Sequence, residues 1–367
     1  MHNRLAFVDA LRGIAVLAVV LQHLLEQIIL GGTTGDYYRA LHDVTGYYFN
    51  FGRFGVVLFF FVSGFVIPYS FPKSATPIKD FAVSRFFRLY PSYWLSILFA
   101  VLLSPLTDAK IIPVGQILAN LTMFQMFVNV PNIRIAYWSL AIELIFYIGC
   151  AILFAAGFLN RRMTAFWIVV AVSLVGIIGP MVVDYWLFWR LLEVALNLTA
   201  MFAGKVARDT VIGRELRWWH LALCAGLYCV FAVTISFKLY GGDYRDNFFY
   251  SYSIASAYVA AAFVFLVFTV FGQGRPWRLL AFVGVISYSI YLMHAYVMSL
   301  TLYFFGTGRG LAQWLVFVVG VVAGSILVSW ITYVVVEKPA IALGRRFRSR
   351  SSPSMPADQR LVGRAAE

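Results

Sequence analysis

A small set of ionisable residues interrupts the long apolar stretches of this sequence, and these residues could do chemistry. They are His23, Glu26, Glu143, Glu193 and His294. If the apolar stretches cross a membrane, each of these side chains is costly to bury and therefore points to a function. Imidazoles and carboxylates in one pocket would be the parts of a proton-transfer site.

Arg12 and His23 are spaced so that one helix would carry both on the same face. They stand eleven residues apart, which is about three turns plus 20°, with a rise of about 16 Å. The helix would then join a cation at the membrane surface to an imidazole deep in the bilayer. This arrangement suits a long donor with an anionic end, such as coenzyme A. Two plainer interpretations are a topological arginine and a structural, hydrogen-bonded histidine.

Arg85 and Arg88 form a second cationic feature. Their spacing of three residues places both guanidinium groups on one helical face. Arginine can bind phosphate through two parallel hydrogen bonds, so the pair is a candidate phosphate site. A basic pair before a membrane span is also an ordinary topological feature.

Glu143 and His294 are predicted to lie at nearly the same depth as His23. The depth follows from the helical rise of about 1.5 Å per residue. Ser139 lies one turn from Glu143, and Tyr291 lies one turn from His294. We therefore expect one pocket in the outer half of the membrane, in which Glu143 orients His23 or stabilises its charged form.

Two acidic residues receive other interpretations. Glu26 stands one turn beyond His23 and could orient the ring, but a charge near a helix end is typical of the interface. Arg190 and Glu193 have the spacing of a simple ion pair on one helix.

The composition indicates the elements that must position these residues. The chain of 367 residues is 62% hydrophobic and 12% charged, and its mean hydropathy is +0.82. Apolar windows of about twenty residues predict membrane-spanning helices. They fall at 11–30, 53–71, 88–104, 138–157, 164–183, 188–204, 218–237, 250–271, 281–304 and 312–336. The predicted fold is an all-α, polytopic transmembrane bundle of about ten spans.

The basic residues orient this bundle. The net charge is +13, which we interpret as topological rather than as a surface for nucleic acid. With the N-terminus in the cytoplasm, most lysines and arginines fall on the inner side, so both termini are expected there. Segment 111–128 is apolar but carries amide side chains, and we interpret it as an interfacial or re-entrant helix rather than an eleventh span.

The chain is expected to have one membrane domain and a tail. Residues 1–343 form the predicted membrane domain, and residues 344–367 form a basic, disordered cytoplasmic tail that contacts anionic lipid headgroups. The three cysteines lie in apolar stretches without metal-ligand spacing, so no metal is expected. No feature of the sequence specifies an oligomeric state.

Four motifs resemble those of the acyltransferase-3 family of membrane acyltransferases. They are Phe7-Val8-Asp9-Ala10-Leu11-Arg12-Gly13 with His23, the Arg85-x-x-Arg88 pair, Trp138-Ser139-Leu140-x-x-Glu143, and Ser287-Tyr288-x-x-Tyr291-Leu292-x-His294. They cover three quarters of the chain in the family's order. The family often has glycine where Ala10 stands.

The resemblance implies an O-acyltransferase of the bacterial inner membrane. Its donor would be cytoplasmic acyl-CoA, most commonly acetyl-CoA, and its acceptor a hydroxyl of a saccharide or glycosylated molecule. The implied catalytic residues are His23 and Glu143, and the implied donor-binding residues are Arg12, Arg85 and Arg88. The supporting positions are Asp9, Trp138, Ser139, Ser287, Tyr288, Tyr291 and His294.

Two alternatives stay open at this point. The first concerns the reaction: His23 would act as a general base on the acceptor hydroxyl, or would carry the acyl group covalently. The second concerns the class of protein. Buried histidine and glutamate also suit a proton-coupled transporter or flippase for a saccharide or lipid-linked glycan, although the sequence lacks paired broken helices and a repeat between its halves.

Overall fold

The computed structural model describes residues 6–30, 42–107, 111–241, 250–306 and 311–348. All regular structure in these ranges is helical. The first helices are α1 (Ala6–Leu30), α2 (Phe51–Val66), α3 (Pro77–Thr107), α4 (Val114–Leu121), α5 (Tyr137–Ala155), α6 (Thr164–Val182) and α7 (Trp186–Val211). They are followed by α8 (Trp218–Tyr240), α9 (Ser251–Phe271), α10 (Arg278–Val285), α11 (Ser287–Phe305), α12 (Leu311–Thr332) and α13 (Lys338–Arg346).

Among the described residues, nine helices are long and apolar enough to span a membrane. The number is ten if α10 and α11, which meet at a bend of 73°, form one broken span. The prediction of a polytopic helical bundle is confirmed, and the chain is a multi-pass membrane protein. Helices satisfy their own backbone hydrogen bonds, which is why apolar sequence takes this form in lipid.

Segment 111–128 has the short helices expected of a non-spanning element. It contains α4, of eight residues, and a 3₁₀ turn at Gln125–Val128. Its buried amide of Asn120 donates to the carbonyl oxygens of Gln116 (2.8 Å) and Pro131 (3.1 Å). These bonds hold a compact hairpin-like segment, and both helices in it are too short to cross a bilayer.

The site is built around the two most buried spans, which contain α1 and α2. α1 packs against α2 and α10, and α2 packs against α7 on its other side. α6, α7 and α8 form a mutually packed group, and α12 packs along α11. Polar residues of α1 and α2 are therefore enclosed by protein rather than by lipid.

The boundary placed at residue 344 needs a correction. α13 continues to Arg346, and Gly344 is buried against Phe87 of α3. The rings of Phe87 and Phe347 stack with centroids 5.6 Å apart. The chain thus stays packed on the bundle beyond the predicted domain end, and the rest of the predicted tail, 349–367, lies outside the described residues.

Candidate active site

One cavity of about 480 Å³ collects the arginines that the sequence singled out. Its lining includes Arg12 from α1, Arg85 and Arg88 from α3, and Arg208 from α7. We call it the arginine cavity. Four guanidinium groups facing one space make a site for an anion, because each offers a fork of N–H donors.

Glu143 lies inside this arginine cavity. Its Oε1 accepts hydrogen bonds from Ser63 Oγ (3.0 Å) and Tyr147 Oη (2.6 Å). The Arg85 guanidinium lies 5.5 Å from the centre of the Tyr147 ring. Glu143 therefore offsets part of the positive charge, and the lining remains cationic.

A second cavity, of about 470 Å³, contains His23, and we call it the histidine cavity. Glu26, Arg53 and Trp138 also line it. His23 Nδ1 lies 2.9 Å from Glu26 Oε2. A carboxylate can only accept this bond, so Nδ1 carries the proton and Nε2 of the neutral ring keeps its lone pair. The pair thus has the arrangement of a base oriented by a carboxylate.

Glu26 is itself held in place. Buried Gln22 donates from Nε2 to Glu26 Oε1 (3.0 Å), and its Oε1 accepts from the backbone N–H of Phe51 (2.9 Å). The start of α2 is thereby tied through Gln22 to the carboxylate that orients His23. This chain of hydrogen bonds orients the His23 imidazole in addition to the side chain's own rotamer preference.

His294 stacks on His23, with ring centroids 5.3 Å apart and an angle of 25° between the rings. Its Nδ1 lies 2.9 Å from the carbonyl oxygen of Ile290. Since a carbonyl only accepts, Nδ1 carries the proton here too. His294 is buried, and its ring limits the movement of the His23 ring on the stacked face.

The two cavities are neighbours. Val56 and Tyr291 line both of them. Along α5, Trp138 lines the histidine cavity while the next residue, Ser139, lines the arginine cavity. An anion site and a carboxylate-oriented imidazole are therefore adjacent, and we call their shared boundary at Val56 and Tyr291 the partition.

Comparison with known proteins identifies the family. Residues 5–334 match the family model described as an acyltransferase domain. The chain belongs to the acyltransferase-3 family. The resemblance found in the motifs is thus confirmed, and the protein is an acyltransferase.

A curated relative supports the same assignment. The acyltransferase is 26% identical over 344 residues to the exopolysaccharide production protein ExoZ of Rhizobium meliloti. The similarity covers 89% of this chain and 98% of the relative. No solved structure matches the chain significantly.

The prediction that Glu143 meets His23 in one pocket is wrong. Glu143 lies in the arginine cavity and His23 in the histidine cavity. Along α5, Trp138 lines the histidine cavity, whereas Glu143, five residues further along the helix, lines the arginine cavity. A depth estimated from helical rise did not resolve this boundary. Glu26, for which an interfacial charge was favoured over a role in orienting the ring, lies beside His23.

The other predicted positions of the acyltransferase divide by role. Asp9, Ser139, Tyr288 and Tyr291 line the arginine cavity. Tyr288 Oη donates to the carbonyl oxygen of Leu89 (2.8 Å), which joins α11 to α3. Ser287 donates to the carbonyl oxygen of Gly284 (2.8 Å) at the bend between α10 and α11, so its contact is structural.

Arg53 is a site residue that the sequence did not single out. It lines the histidine cavity, with its guanidinium 4.9 Å from the centre of the Trp138 ring. Arg53 Nη1 lies 3.2 Å from Glu193 Oε1, and Glu193 also makes the predicted pair with Arg190 (3.2 Å). A partner so distant in sequence gives no local pattern, and Arg53 falls at the first residue of the predicted span 53–71.

Glu337 was also missed. It is buried at the end of the π-helical segment Tyr333–Glu337 and accepts a hydrogen bond from Ser289 Oγ (2.8 Å). It interacts electrostatically with Arg12 and Arg88. The predicted span ended one residue earlier, which left this glutamate outside the set of buried ionisable residues.

Among the described residues, no group of three or more histidine, cysteine, aspartate and glutamate side chains could hold a metal ion.

Proposed function

We propose that this acyltransferase moves an acyl group from acyl-CoA to a hydroxyl of a saccharide, with His23 as the general base. The donor would bind in the arginine cavity and the acceptor in the histidine cavity. The observation that carries the proposal is the His23–Glu26 pair, with its 2.9 Å contact, in a cavity that shares Val56 and Tyr291 with a cavity lined by arginines.

The arginine cavity has the chemistry that coenzyme A requires. Arg12, Arg85 and Arg88 would bind its phosphates, because guanidinium groups match phosphate geometry. Arg12 and His23 are separated by a rise of about 16 Å along α1. The extended pantetheine arm would follow α1 from the arginines toward the partition. Acetyl is the simplest acyl group consistent with this space.

The charge pattern supports a cytoplasmic position for this donor end. Lysines and arginines concentrate on the side of the bundle where α1 begins, as the positive-inside tendency requires. We therefore place both termini in the cytoplasm and the enzyme in a bacterial inner membrane. Acyl-CoA would enter from the cytoplasm, and the histidine cavity would face the opposite side.

The histidine cavity suits a saccharide. Trp138 offers an aromatic face, and Asn50, Gln27 and Arg53 offer polar groups around it. Such a mixture of one aromatic surface and several hydrogen-bonding groups can orient a polyhydroxylated ligand. The name of the relative, an exopolysaccharide production protein, favours a polysaccharide or its precursor as the acceptor.

The proposed reaction begins when His23 Nε2 takes the proton of the acceptor hydroxyl. The acceptor oxygen bonds to the thioester carbonyl carbon, and negative charge develops on the carbonyl oxygen. Collapse breaks the carbon–sulfur bond, and the proton passes from His23 to the leaving thiolate. Glu26 stabilises the charged imidazole during these steps, while Glu143 organises the arginines. An acyl-histidine intermediate is the variant of this mechanism.

The test uses the purified protein in detergent with labelled acetyl-CoA and de-O-acylated surface polysaccharide from the same bacterium. His23→Ala is expected to abolish labelling of the polysaccharide and to leave acetyl-CoA binding intact. His42→Ala, outside both cavities, serves as the control. Undiminished turnover in His23→Ala would contradict the assignment of the base.

The donor site has its own test. Arg85→Ala is expected to raise the KM for acetyl-CoA by about tenfold, since charge-assisted hydrogen bonds contribute about 1.5–3 kcal/mol. The exposed Arg162, on the loop before α6, provides the matched control as Arg162→Ala. An unchanged KM in Arg85→Ala would contradict the phosphate-binding role.

A further inference from the structure

We propose that the hydroxyl of Tyr291 is the hydrogen-bond donor that stabilises the negative charge formed during acyl transfer. This inference rests on the proposed function and adds a catalytic residue to it. The charge would develop on the thioester carbonyl oxygen, where donor and acceptor meet. Only groups at the partition between the two cavities can reach that oxygen.

Tyr291 holds this position by its location in α11. It lines the arginine cavity and the histidine cavity, as does Val56. Of these two side chains, only tyrosine has a hydrogen-bond donor. When the acyl group passes from the arginine cavity to the histidine cavity, its carbonyl would therefore pass the Tyr291 hydroxyl.

The hydroxyl itself lies between residues of the two cavities. Tyr291 Oη is 2.7 Å from Ser139 Oγ, in the arginine cavity. It is 2.9 Å from the carbonyl oxygen of Ala136, in the histidine cavity. The ring packs at 6.1 Å from Phe59 and at 6.4 Å from His294. Packing and these hydrogen bonds thus fix the position of the phenol ring and of its oxygen.

The hydrogen-bond directions favour donation by Tyr291. The Ala136 carbonyl can only accept, and it lies nearer to the Tyr291 hydroxyl (2.9 Å) than to the Ser139 hydroxyl (3.1 Å). With Tyr291 donating to this carbonyl, the single proton of Ser139 is donated to the phenol oxygen. Donation by Ser139 polarises the phenol and makes its proton a stronger donor. When the thioester carbonyl oxygen becomes negative, the Tyr291 O–H would turn from the Ala136 carbonyl and donate to the thioester oxygen, while Ser139 stays hydrogen-bonded to the phenol oxygen.

The balance of the step is unchanged by Tyr291. The acceptor proton still goes to His23 Nε2, and the carbon–sulfur bond still breaks to release the thiol of coenzyme A. Tyr291 keeps its own proton and contributes a hydrogen bond that is strongest in the transition state. Interactions of this kind raise kcat rather than substrate affinity.

The experiment compares Tyr291→Phe with Tyr296→Phe. Tyr296 lies in α11 as well, is buried, and bonds similarly, to the carbonyl oxygen of Ser96 (2.6 Å) and the hydroxyl of Tyr137 (3.2 Å). Its side chain lies outside both cavities. The two substitutions therefore remove the same kind of hydroxyl, and similar thermal stability of the two variants shows that folding is not the difference.

Tyr291→Phe is expected to lower kcat by about 10²-fold, the effect of losing one such donor. The KM values of Tyr291→Phe for acetyl-CoA and the de-O-acylated polysaccharide should stay near those of the wild type. Tyr296→Phe should have the wild-type kcat. A kcat for Tyr291→Phe within threefold of that for Tyr296→Phe would overturn the proposal. So would an effect confined to KM.

Ser139→Ala gives a second readout that does not depend on the stability of the tyrosine variant. It should lower kcat severalfold in the wild type and have almost no further effect on kcat in Tyr291→Phe, because Ser139 acts through the phenol. Independent effects would contradict this. Failure of the proposed function is distinguishable, because it would leave His23→Ala active or the wild type without transferase activity.

Discussion

The carboxylate one helical turn from His23 decides which nitrogen of the imidazole is basic. Glu26 accepts from Nδ1 at 2.9 Å, so Nε2 has the lone pair that a general base needs. Gln22 holds the other carboxylate oxygen at 3.0 Å. At the scale of the residue, the proposed chemistry therefore depends on a pair and its support rather than on a single histidine.

Replacing Glu26 by glutamine should expose this dependence. The amide NH₂ of Glu26→Gln can donate to Nδ1, which would move the imidazole proton to Nε2 and remove the base. We expect kcat to fall by about 10²–10⁴-fold, the contribution of a general base. Steady-state acetyl transfer by the purified variant measures it.

The matched control for this change is Glu215→Gln, at an exposed glutamate between α7 and α8. It should keep the wild-type kcat. If Glu26→Gln lost less than threefold in kcat, His23 would not depend on the carboxylate for its orientation.

The sequence predicted several of these residues but not their pairing. Arg12, Arg85 and Arg88 do share one cavity, because their spacing on two helices already placed them on common faces. Glu143 was assigned to the wrong cavity because a depth estimated from helical rise does not resolve a boundary that falls along α5 between Trp138 and Ser139. Arg53 and Glu193 could not be paired, since 140 positions separate them in the sequence and no local spacing links them.

The close crossing of helices α1 and α10 shapes the arginine cavity. Two glycines make this approach possible. A Cβ on Gly13 would overlap the carbonyl oxygen of Leu280, and a Cβ on Gly284 would overlap that of Asp9. Small residues at helix crossings allow such contact in membranes. Asp9 and Arg12 both line the cavity, so the crossing sets where they stand.

Gly284→Ala is therefore expected to displace the start of α1. Overpacking of this kind costs about 1–3 kcal/mol of the free energy of unfolding. The melting temperature in detergent should fall, and the KM for acetyl-CoA should rise because Arg12 moves with α1. Thermal unfolding and donor kinetics on the same preparation measure both effects.

Gly149→Ala is the control, because a Cβ there meets no other atom within 4 Å. It lies within α5, where alanine has the better helix propensity by about 1 kcal/mol. Its melting temperature should equal or exceed that of the wild type. Equal behaviour of the two variants would contradict a role for the crossing.

The existence of the helices was predictable, while their breaks were not. Apolar length alone gave the spans, because a bilayer requires about twenty such residues. The 73° bend between α10 and α11 falls inside a continuous apolar stretch, so hydropathy does not mark it. α3 begins at Pro77, before the predicted span at 88–104, because hydropathy marks only the apolar part of a helix and not its polar extension.

The proposed separation of donor and acceptor belongs to the whole molecule. α1 carries Arg12 in one cavity and His23 in the other, so the cavities lie toward opposite ends of the bundle. Under the proposed topology, the arginine cavity opens to the cytoplasm and the histidine cavity to the opposite side. A single cavity that opened to one side would not give donor and acceptor access from opposite sides of the membrane.

Thiol labelling tests this orientation. In a variant without Cys150, Cys224 and Cys229, Ser84→Cys would report on the arginine cavity and Gln27→Cys on the histidine cavity. A membrane-impermeant maleimide should label Gln27→Cys in right-side-out vesicles and Ser84→Cys in inverted vesicles. Labelling of both positions from one side would contradict the topology.

The most direct test of two-sided acyl transfer measures labelling when donor and acceptor are supplied on opposite sides of a membrane. Proteoliposomes of uniform orientation would receive labelled acetyl-CoA only on the side of the arginine cavity and de-O-acylated polysaccharide only on the side of the histidine cavity. Transfer between the two cavities predicts labelled polysaccharide with the wild type and none with His23→Ala. Labelling that requires both substrates on the same side, or that persists in His23→Ala, would contradict it.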